Sequence, residues 1–166
     1  MAQTLLIKRD DLVTFTNMNG NIDTDKFIQY IAIAQDIHLQ RVLGTDLLEA
    51  LQTKVSGATL AGNYLTLVTN WIKPALIHWA MVEFLPMQAV TVANGGIFRR
   101  DPENGTSLSS QEVDNLVNQE RDFAVYYSNR LSDYLCNNMS LFPEYNSNTK
   151  EDISPASDSN YCSWVL

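Results

Sequence analysis

Two histidines are the side chains of this polypeptide that are best suited to acid–base or metal chemistry. His38 lies two residues after Asp36 and three before Arg41. His78 precedes Glu83 by five residues. Metal ligands on one helix usually stand three or four residues apart, as in HExxH, because side chains two or five positions apart diverge around the axis. We therefore expect neither a metal ion nor an acid–base pair, and we interpret His78 as a partly buried residue of a central helix.

Other enzyme chemistry has equally little support. The serine-rich segment 107–110 lacks the G-x-S-x-G turn of a serine nucleophile and is better explained as a helix cap. Gly95 and Gly96 do not follow the pattern of a phosphate-binding loop, which also carries a lysine. We expect a protein that is not an enzyme, with no catalytic residue and no cofactor. A small helical hydrolase is the weakest alternative.

The charge balance argues against stable binding to nucleic acid. The 166 residues include 11 basic and 19 acidic side chains, for a formal net charge of -8. Affinity for phosphates requires clustered Lys and Arg, whereas an acidic surface would let DNA slide past without sticking. The length fits one domain. Cys136 and Cys162 are the only cysteines and have no CxxC spacing, so we expect reduced thiols.

The most apolar stretch, residues 57–90, predicts a buried helix. Lys73 and Glu83 are its only charges. Two prolines and several polar residues interrupt it, so no window of about twenty apolar residues is available to span a bilayer. We expect its surplus apolar surface to be covered by other subunits or partners. The first ten residues lack the features of a secretory signal, which predicts synthesis in the cytoplasm and no membrane association.

Apolar periodicity predicts the helices around this stretch. The first should span 23–42 and end at Gly44, and the second should span 45–55 and end at Gly57. The last should span 110–137, beginning at the S-x-x-E capping box of Ser109 and Glu112. Its apolar stripe consists of Val113, Leu116, Val117, Phe123, Ala124, Tyr127, Leu131, Tyr134 and Leu135.

The third helical region, 60–87, should be interrupted in the middle. Pro74 removes a backbone donor and clashes with the preceding turn, which predicts a kink near Ile72. Pro86 should mark the end of the region. Trp71 and Trp79 are eight residues apart, hence on nearly the same face, and we interpret them as core or interface anchors.

The remaining segments predict a hairpin and a tail. Asn94-Gly95 between two apolar runs indicates a short β-hairpin near 89–100. From 139 the composition shifts to Asn, Ser, Asp and Pro, which favours extended chain. We thus predict an all-α fold, a small bundle of about four helices with this inserted hairpin and extended terminal arms. The proposed units are an N-terminal arm (1–22), a helical domain (23–138) and a C-terminal tail (139–166).

Several short patterns, taken in order, carry a resemblance to a known family. They are Ala34-Gln35, Leu43-Gly44, Leu47, Pro74-Ala75-Leu76, Trp79-Ala80, Glu83, Leu85-Pro86, Asn94-Gly95-Gly96-Ile97, Glu120, Ala124, Tyr127, Arg130-Leu131, Tyr134-Leu135 and Phe142-Pro143-Glu144-Tyr145. Over these residues the chain resembles the head-to-tail connector proteins of tailed bacteriophages, also called adaptors or neck-ring proteins, especially those of crAss-like phages.

The resemblance implies a structural virion protein without catalytic residues. Such a protein forms a homo-oligomeric ring, usually a dodecamer, below the phage portal protein. It joins the head to the tail, contacts other neck or tail proteins and lets genomic DNA pass. The implied location is the head–tail neck of the virion, after assembly in the cytoplasm of the host bacterium.

Two groups of residues are candidates for partner contacts. Arg99 and Arg100 lie beside the predicted hairpin tip, where they would reach a neighbouring subunit, the portal protein or passing DNA, or would form an exposed solubilising turn. The second group is the apolar end of the tail, which would either dock in a groove of the portal or an adjacent subunit or stay disordered. Its residues are Tyr161, Trp164, Val165 and Leu166.

The main alternative is a DNA-binding regulator. Segments 47–55 and 60–68, separated by Gly57, have a spacing that superficially resembles a helix-turn-helix. However, the second segment has no Lys or Arg between Leu60 and Ile72. It therefore lacks the side chains that normally contact phosphates and base edges.

Overall fold

Helices make up most of the part of the chain that the structure describes. The computed structural model describes residues 4–16, 18, 24–88, 90–93, 96–99, 108–147, 149 and 152–155. The helices are α1 (Arg9–Phe15), α2 (Thr24–Ala34), α3 (Gln40–Leu43), α4 (Thr45–Ser56), α5 (Gly62–Leu67), α6 (Lys73–Gln88), α7 (Ser110–Asn137) and α8 (Glu144–Ser147). Two π-helical turns, Gln35–Leu39 and Val68–Ile72, join α2 to α3 and α5 to α6, and a 3₁₀ turn spans Met139–Leu141. The fold is all-α.

The central helix, α6, is apolar nearly all round and is buried accordingly. It packs against α7 and against α2. Because α7 and α2 each cover a face of α6, the helix needs no polar face. This explains the low charge of the sequence here. The buried residues are Ala75, Leu76, Ile77, Ala80, Met81, Val82 and Phe84. The prediction of a buried central helix is confirmed.

The interruption predicted near Ile72 takes the form of a π-helical turn. The backbone N–H of Lys73 donates to the carbonyl of Val68, five residues back. Pro74 follows at once, and its ring would clash with the carbonyl of Asn70 in a regular α-helix. A wider turn relieves that clash without breaking the helix axis. Helix α6 then continues to Gln88, two residues past Pro86 and one past the predicted bound of 87.

The last helix, α7, begins as the sequence predicts. The Ser109 hydroxyl accepts from the backbone N–H of Glu112 (3.2 Å), and the Ser109 backbone N–H donates to the Glu112 carboxylate (2.7 Å). This capping box satisfies two donors of the first turn. Part of the predicted stripe is not buried, because Leu116 and Phe123 face solvent. The buried members are Val117, Ala124, Leu131 and Leu135.

Two short strands follow α6. Strand β1 (Val90–Ala93) pairs antiparallel with β2 (Gly96–Arg99), in a register that places Val90 opposite Arg99 and Ala93 opposite Gly96. The Asn94-Gly95 tip of the predicted hairpin lies outside the described residues.

The N-terminal arm packs into the main core, which the prediction of an extended arm did not foresee. Its buried side chains are Leu6, Ile7, Leu12 and Met18. The fully buried Gln35 of the first π-helical turn fixes the arm: its Oε1 accepts from the backbone N–H of Leu6, and its Nε2–H donates to the carbonyl of Thr4, both at 3.1 Å. The side-chain amide of Gln35 thus pairs with the backbone of the arm as a peptide group does in a β-ladder. This pairing holds the apolar side chains of the arm in the core.

An ion pair attaches the arm to α6. Lys73 Nζ donates to the Asp11 carboxylate at 2.8 Å, and the Lys8 backbone N–H donates to the same group at 2.9 Å. Burial alone would raise the pKa of Asp11, but these two donors outweigh it and lower the pKa below its usual value.

The segment from 139 onwards needs a correction, because its first part is neither extended nor outside the core. It contains the 3₁₀ turn and α8, and the side chains of Phe142 and Tyr145 are buried. Beyond α8, the backbone N–H of Thr45 donates to the carbonyl of Ile153 at 3.0 Å. The segment is therefore ordered by two aromatic residues in spite of its polar composition. Burying each aromatic ring stabilises the fold by more than the exposed Asn and Ser residues around it destabilise the folded segment.

Candidate interaction surfaces

A chain of ring contacts runs from the first π-helical turn through α6 to α7. His38 stacks on Trp79 with ring centroids 3.7 Å apart, and its Nε2–H donates to Glu83 at 2.9 Å. The indole N–H of Trp79 donates to the hydroxyl of Ser128 on α7 at 2.8 Å. The partners of His38 in this series of contacts are thus two residues of α6, Trp79 and Glu83.

The second histidine forms a separate contact at the α6–α7 interface. His78 Nδ1–H donates to Glu120 at 2.7 Å, and its ring lies parallel to that of Tyr127 at a centroid distance of 5.4 Å. Glu83, five residues further along α6, faces His38 instead. His78 is a partly buried residue of the central helix, as predicted. Each histidine thus joins two helices through one carboxylate.

These two pairs do not assemble into a metal centre. Within the described ranges, no group of three or more His, Cys, Asp or Glu side chains is placed to hold a metal ion. Likewise, none of the helices formed by those residues combines the length and apolarity that crossing a membrane takes.

Both tryptophans of the central region anchor α7. Trp71 stacks on Tyr134 at a centroid distance of 4.3 Å, and the guanidinium of Arg130 lies 4.6 Å from the Trp71 ring centre. Trp79 contacts Ser128 on the same helix. The interpretation of Trp71 and Trp79 as anchors on nearly one face is confirmed, with α7 as the element that they hold. Arg130 adds a cation–π contact that the sequence did not indicate.

Large apolar side chains remain exposed on both helices that pack against α6. We call Leu116, Phe123 and Tyr126 the α7 face; they lie within about 80° around the helix and are 42%, 44% and 62% exposed. At the end of α2 and in the turn that follows, Ile33 and Ile37 are 37% and 58% exposed. Single exposed apolar residues are normal, whereas groups of them on one helix face mark surfaces for other molecules.

An acidic cleft lies between α4 and α8, with a volume of about 410 Å³. Asp46 and Glu49 line it together with Glu144 and Lys54. The Glu144 carboxylate accepts from the hydroxyl of Tyr64 at 2.7 Å, and Lys54 Nζ lies 4.3 Å from the centre of the same ring. Burial of the phenol, followed by the hydrogen bond to Glu144 and its charge, raises the pKa of Tyr64 to about 12. These polar groups bind one another and hold α8 against the bundle.

The end of α8 and the chain beyond it are bound to the start of α4. Asp46 Oδ2 accepts from the hydroxyl of Ser147 and from the backbone N–H of Thr149, both at 2.7 Å. The Thr45 hydroxyl donates to Asp152 at 3.0 Å. The sequence does not indicate these contacts, or the hydrogen bonds from Gln35 to the N-terminal arm, because the partners are far apart along the chain. The available signal was a glutamine inside an otherwise apolar helical stripe.

The partner contacts predicted from the sequence fall mostly outside the described residues. Arg99 belongs to β2 by its backbone, and its side chain is outside the described part of the structure. Arg100 lies outside it altogether. The same holds for the whole apolar end of the tail, namely Tyr161, Trp164, Val165 and Leu166. These contacts stay predictions.

The fold and its contacts define an all-α protein with a buried central helix, apolar groups exposed on the two helices beside it, and two terminal segments fastened to the bundle. Residues 39–154 match a family of unknown function, DUF6712, and the chain belongs to that family. The matched span contains both partners of the bond between Thr45 and Ile153. No curated protein and no solved structure matches the chain.

Proposed function

We propose that this protein is a structural virion protein of a tailed bacteriophage, which forms a ring below the portal, joins the head to the tail and lets DNA pass. The observation that carries the proposal is the exposure of apolar side chains on both helices that pack against α6. The resemblance of the sequence to connector proteins supplies the kind of assembly. The proposed location is the neck of the virion, after assembly in the host cytoplasm.

A closed ring requires two different surfaces on each subunit, because neighbours contact each other head to tail. The α7 face supplies one apolar surface, and Ile33 with Ile37 supplies another on a different helix. In the proposed ring, the first surface of one copy packs on the second surface of the next. Burial of apolar area at about 25 cal/mol per Å² then favours assembly, although ordering and lost rotation offset much of the gain.

The charge of the chain fits a channel through which DNA moves. A formal net charge of -8 on each copy adds up around a ring, so a wall that bears these charges repels the phosphates of the duplex. DNA would then pass during packaging and ejection without being retained. In the proposal, the β1–β2 ribbon is a hairpin inserted into the bundle, and Arg99 and Arg100 contact a neighbouring subunit or the portal protein.

The experiment measures oligomer size by light scattering and native mass spectrometry, for the protein alone and together with the portal protein of the phage that encodes it. We expect closed rings, either in the protein alone or only when the portal is present. Phe123→Asp should abolish ring formation, because it places a charge in the middle of the α7 face. Val125→Asp is the matched control, since Val125 is 43% exposed on a different side of the same helix.

Three results would contradict the proposal. The protein would stay monomeric with and without the portal, or Phe123→Asp and Val125→Asp would weaken assembly equally. The third is salt-sensitive binding of the monomer to a short DNA duplex, which would favour the DNA-binding regulator instead.

A further inference from the structure

A mainly apolar cleft lies between the N-terminal arm and the α4–α5 region, and it shares no lining residue with the acidic cleft. We call it the arm cleft, and its volume is about 310 Å³. Its polar lining consists of Lys8, Asp10, the paired Lys73 and Asp11, and the exposed Thr69. Leu65 in its wall is 47% exposed, so apolar surface is open to solvent here. The apolar wall consists of Leu5, Leu6, Val55, Leu60, Leu65 and Val68.

The tail of the chain is the segment whose chemistry fits this cleft. Beyond Pro155, the last described residue, the sequence continues for eleven residues that the structure does not describe. The first five are polar or small, whereas four of the last six are large and apolar: Tyr161, Trp164, Val165 and Leu166. An aromatic ring that enters a partly exposed apolar cleft removes two apolar surfaces from water at once.

The tail is long enough to reach the arm cleft of its own chain. Pro155 is fixed beside Gly44, where a Cβ added to the glycine would lie 2.7 Å from the proline ring. Val55 follows Gly44 by eleven residues on α4, a rise of roughly 17 Å. An extended chain reaches at most about 20 Å from Pro155 to Tyr161 and about 30 Å to Trp164. Both aromatic residues are therefore within reach of the cleft.

We propose that the apolar end of the tail, Tyr161 to Leu166, docks in the arm cleft of the same chain. A tethered segment has an effective concentration in the millimolar range, which favours its own chain over a second copy in dilute solution. The docked tail would cover the N-terminal arm and fasten the two termini to each other. The contact lies within one chain, so it stands whether or not the protein forms a ring.

The test uses the native cysteine of the tail. Cys162 lies next to Tyr161, and Thr69→Cys places a second thiol on the cleft, in a full-length chain that also carries Cys136→Ser. A disulfide requires Cα atoms within about 7 Å of each other, so mild oxidation reports docking directly. We expect a disulfide within one chain, seen as faster migration of the unreduced protein and as one linked peptide pair in the mass spectrum.

The matched control is Thr53→Cys in the same background. Thr53 lies at a similar distance from Gly44 along α4, but about 200° around the helix from Val55, and it lines the acidic cleft instead. We expect its disulfide with Cys162 to form about tenfold more slowly, since an undocked tail visits that face only transiently. Equal rates at both positions would refute the proposal. So would a disulfide at Thr69→Cys that links two chains.

A second measurement does not depend on disulfide geometry. In chains with Cys136→Ser and Cys162→Ser, the thiol of Thr69→Cys is the only one, and its rate of labelling by a soluble thiol reagent reports how far the cleft is covered. Trp164→Ala combined with Leu166→Ala should accelerate labelling about tenfold, because labelling requires an open cleft. An unchanged rate would overturn the proposal.

Discussion

His38 and Trp79 lie face to face, with ring centroids 3.7 Å apart and planes 6° from parallel, although the two residues belong to different helical segments. His38 also donates to Glu83, and Trp79 also donates to Ser128. One histidine therefore connects the first π-helical turn to α6 and, through the indole, to α7. The π-helical turn places the imidazole of His38 over the indole of Trp79. This local irregularity of the helix thus serves the packing of the turn on α6.

Removal of this imidazole should destabilise the bundle. We expect His38→Ala to lower the free energy of unfolding by about 1–3 kcal/mol, because it removes a stacked ring pair and leaves Glu83 without its donor. Urea denaturation at neutral pH measures the change. Ile37→Ala is the control: that side chain is largely exposed, and its loss should cost much less. Equal effects of the two substitutions would show that the stacking contributes nothing.

The amide of Gln35 should be the main attachment of the N-terminal arm. Gln35→Leu keeps the size of the side chain but leaves the backbone N–H of Leu6 and the carbonyl of Thr4 without their partner. We expect a loss of about 2 kcal/mol in stability and faster proteolysis within the arm, since buried unsatisfied polar groups are costly. Gln29→Leu makes the same substitution on an exposed position of α2 and should change neither quantity. An arm that stays protected in Gln35→Leu would contradict this role.

The elements that the sequence predicted well are those encoded by neighbours along the chain. The start of α7 follows from a capping box of four residues, and the wide turn before α6 follows from Pro74. Gln35 behaves differently, because its hydrogen-bond partners lie 29 and 31 residues away. The apolar periodicity of the helix indicates that position 35 is buried. It does not indicate which distant groups a polar side chain at that position will bind.

The same limit explains the error at the end of the chain. Asn- and Ser-rich composition indicates a lack of helix-forming preference, which is a local property. Phe142 is buried against the rings of Tyr64 and Tyr134, and Tyr145 is buried three residues further on. Only the assembled helices create that surface. For the same reason, the pattern of one helix could not predict that His78 pairs with Glu120, which belongs to another helix.

Two glycines have backbone conformations that favour glycine, but only one of them lies against another residue. Gly44 and Gly62 both have positive φ angles, +76° and +57°, but a Cβ on Gly44 would collide with Pro155, whereas one on Gly62 would meet open space. Gly62→Ala should therefore cost only the strain, about 1 kcal/mol. Gly44→Ala should cost more, because Gly44 (φ +76°, ψ +162°) lies in a backbone region that essentially only glycine adopts and because the new methyl group meets Pro155. It should also raise the hydrogen-exchange rate of the Thr45 amide, which bonds to Ile153. Equal costs for the two variants would exclude the contact with Pro155.

A double substitution tests that contact further. Pro155→Ala removes the ring atoms Cγ and Cδ that a new methyl group at position 44 would meet, so it should relieve part of the cost of Gly44→Ala. The free energies of unfolding of the two single variants and the double variant form a cycle, and a favourable interaction energy of about 0.5 kcal/mol or more is expected for groups in contact. Additive effects would place the cost of Gly44→Ala entirely in the backbone.

The pairing of Tyr64 with Glu144 should make stability depend on pH at the alkaline end. The pKa of Tyr64 is raised from 10.0 to about 12 by burial and by the neighbouring carboxylate. Because the folded state holds the phenol neutral, this contribution to stability is fully present below about pH 10 and is lost as the pH rises towards 12. The ultraviolet absorbance of phenolate measures the titration. The difference in absorbance between the wild-type protein and Tyr64→Phe isolates the titration of the Tyr64 phenol.

Glu144→Gln should bring the titration of Tyr64 back towards 10.0, because it removes the charge that opposes ionisation of the phenol while it keeps a hydrogen-bond acceptor. Glu49→Gln removes a charge from the same acidic cleft without touching the acceptor of the Tyr64 hydroxyl, and it should shift the titration much less. If both variants moved the midpoint by the same amount, the general negative potential of the cleft would be the cause. A midpoint that moves only in Glu144→Gln assigns the part of the pKa shift that burial does not cause to the direct contact that holds α8 against the bundle.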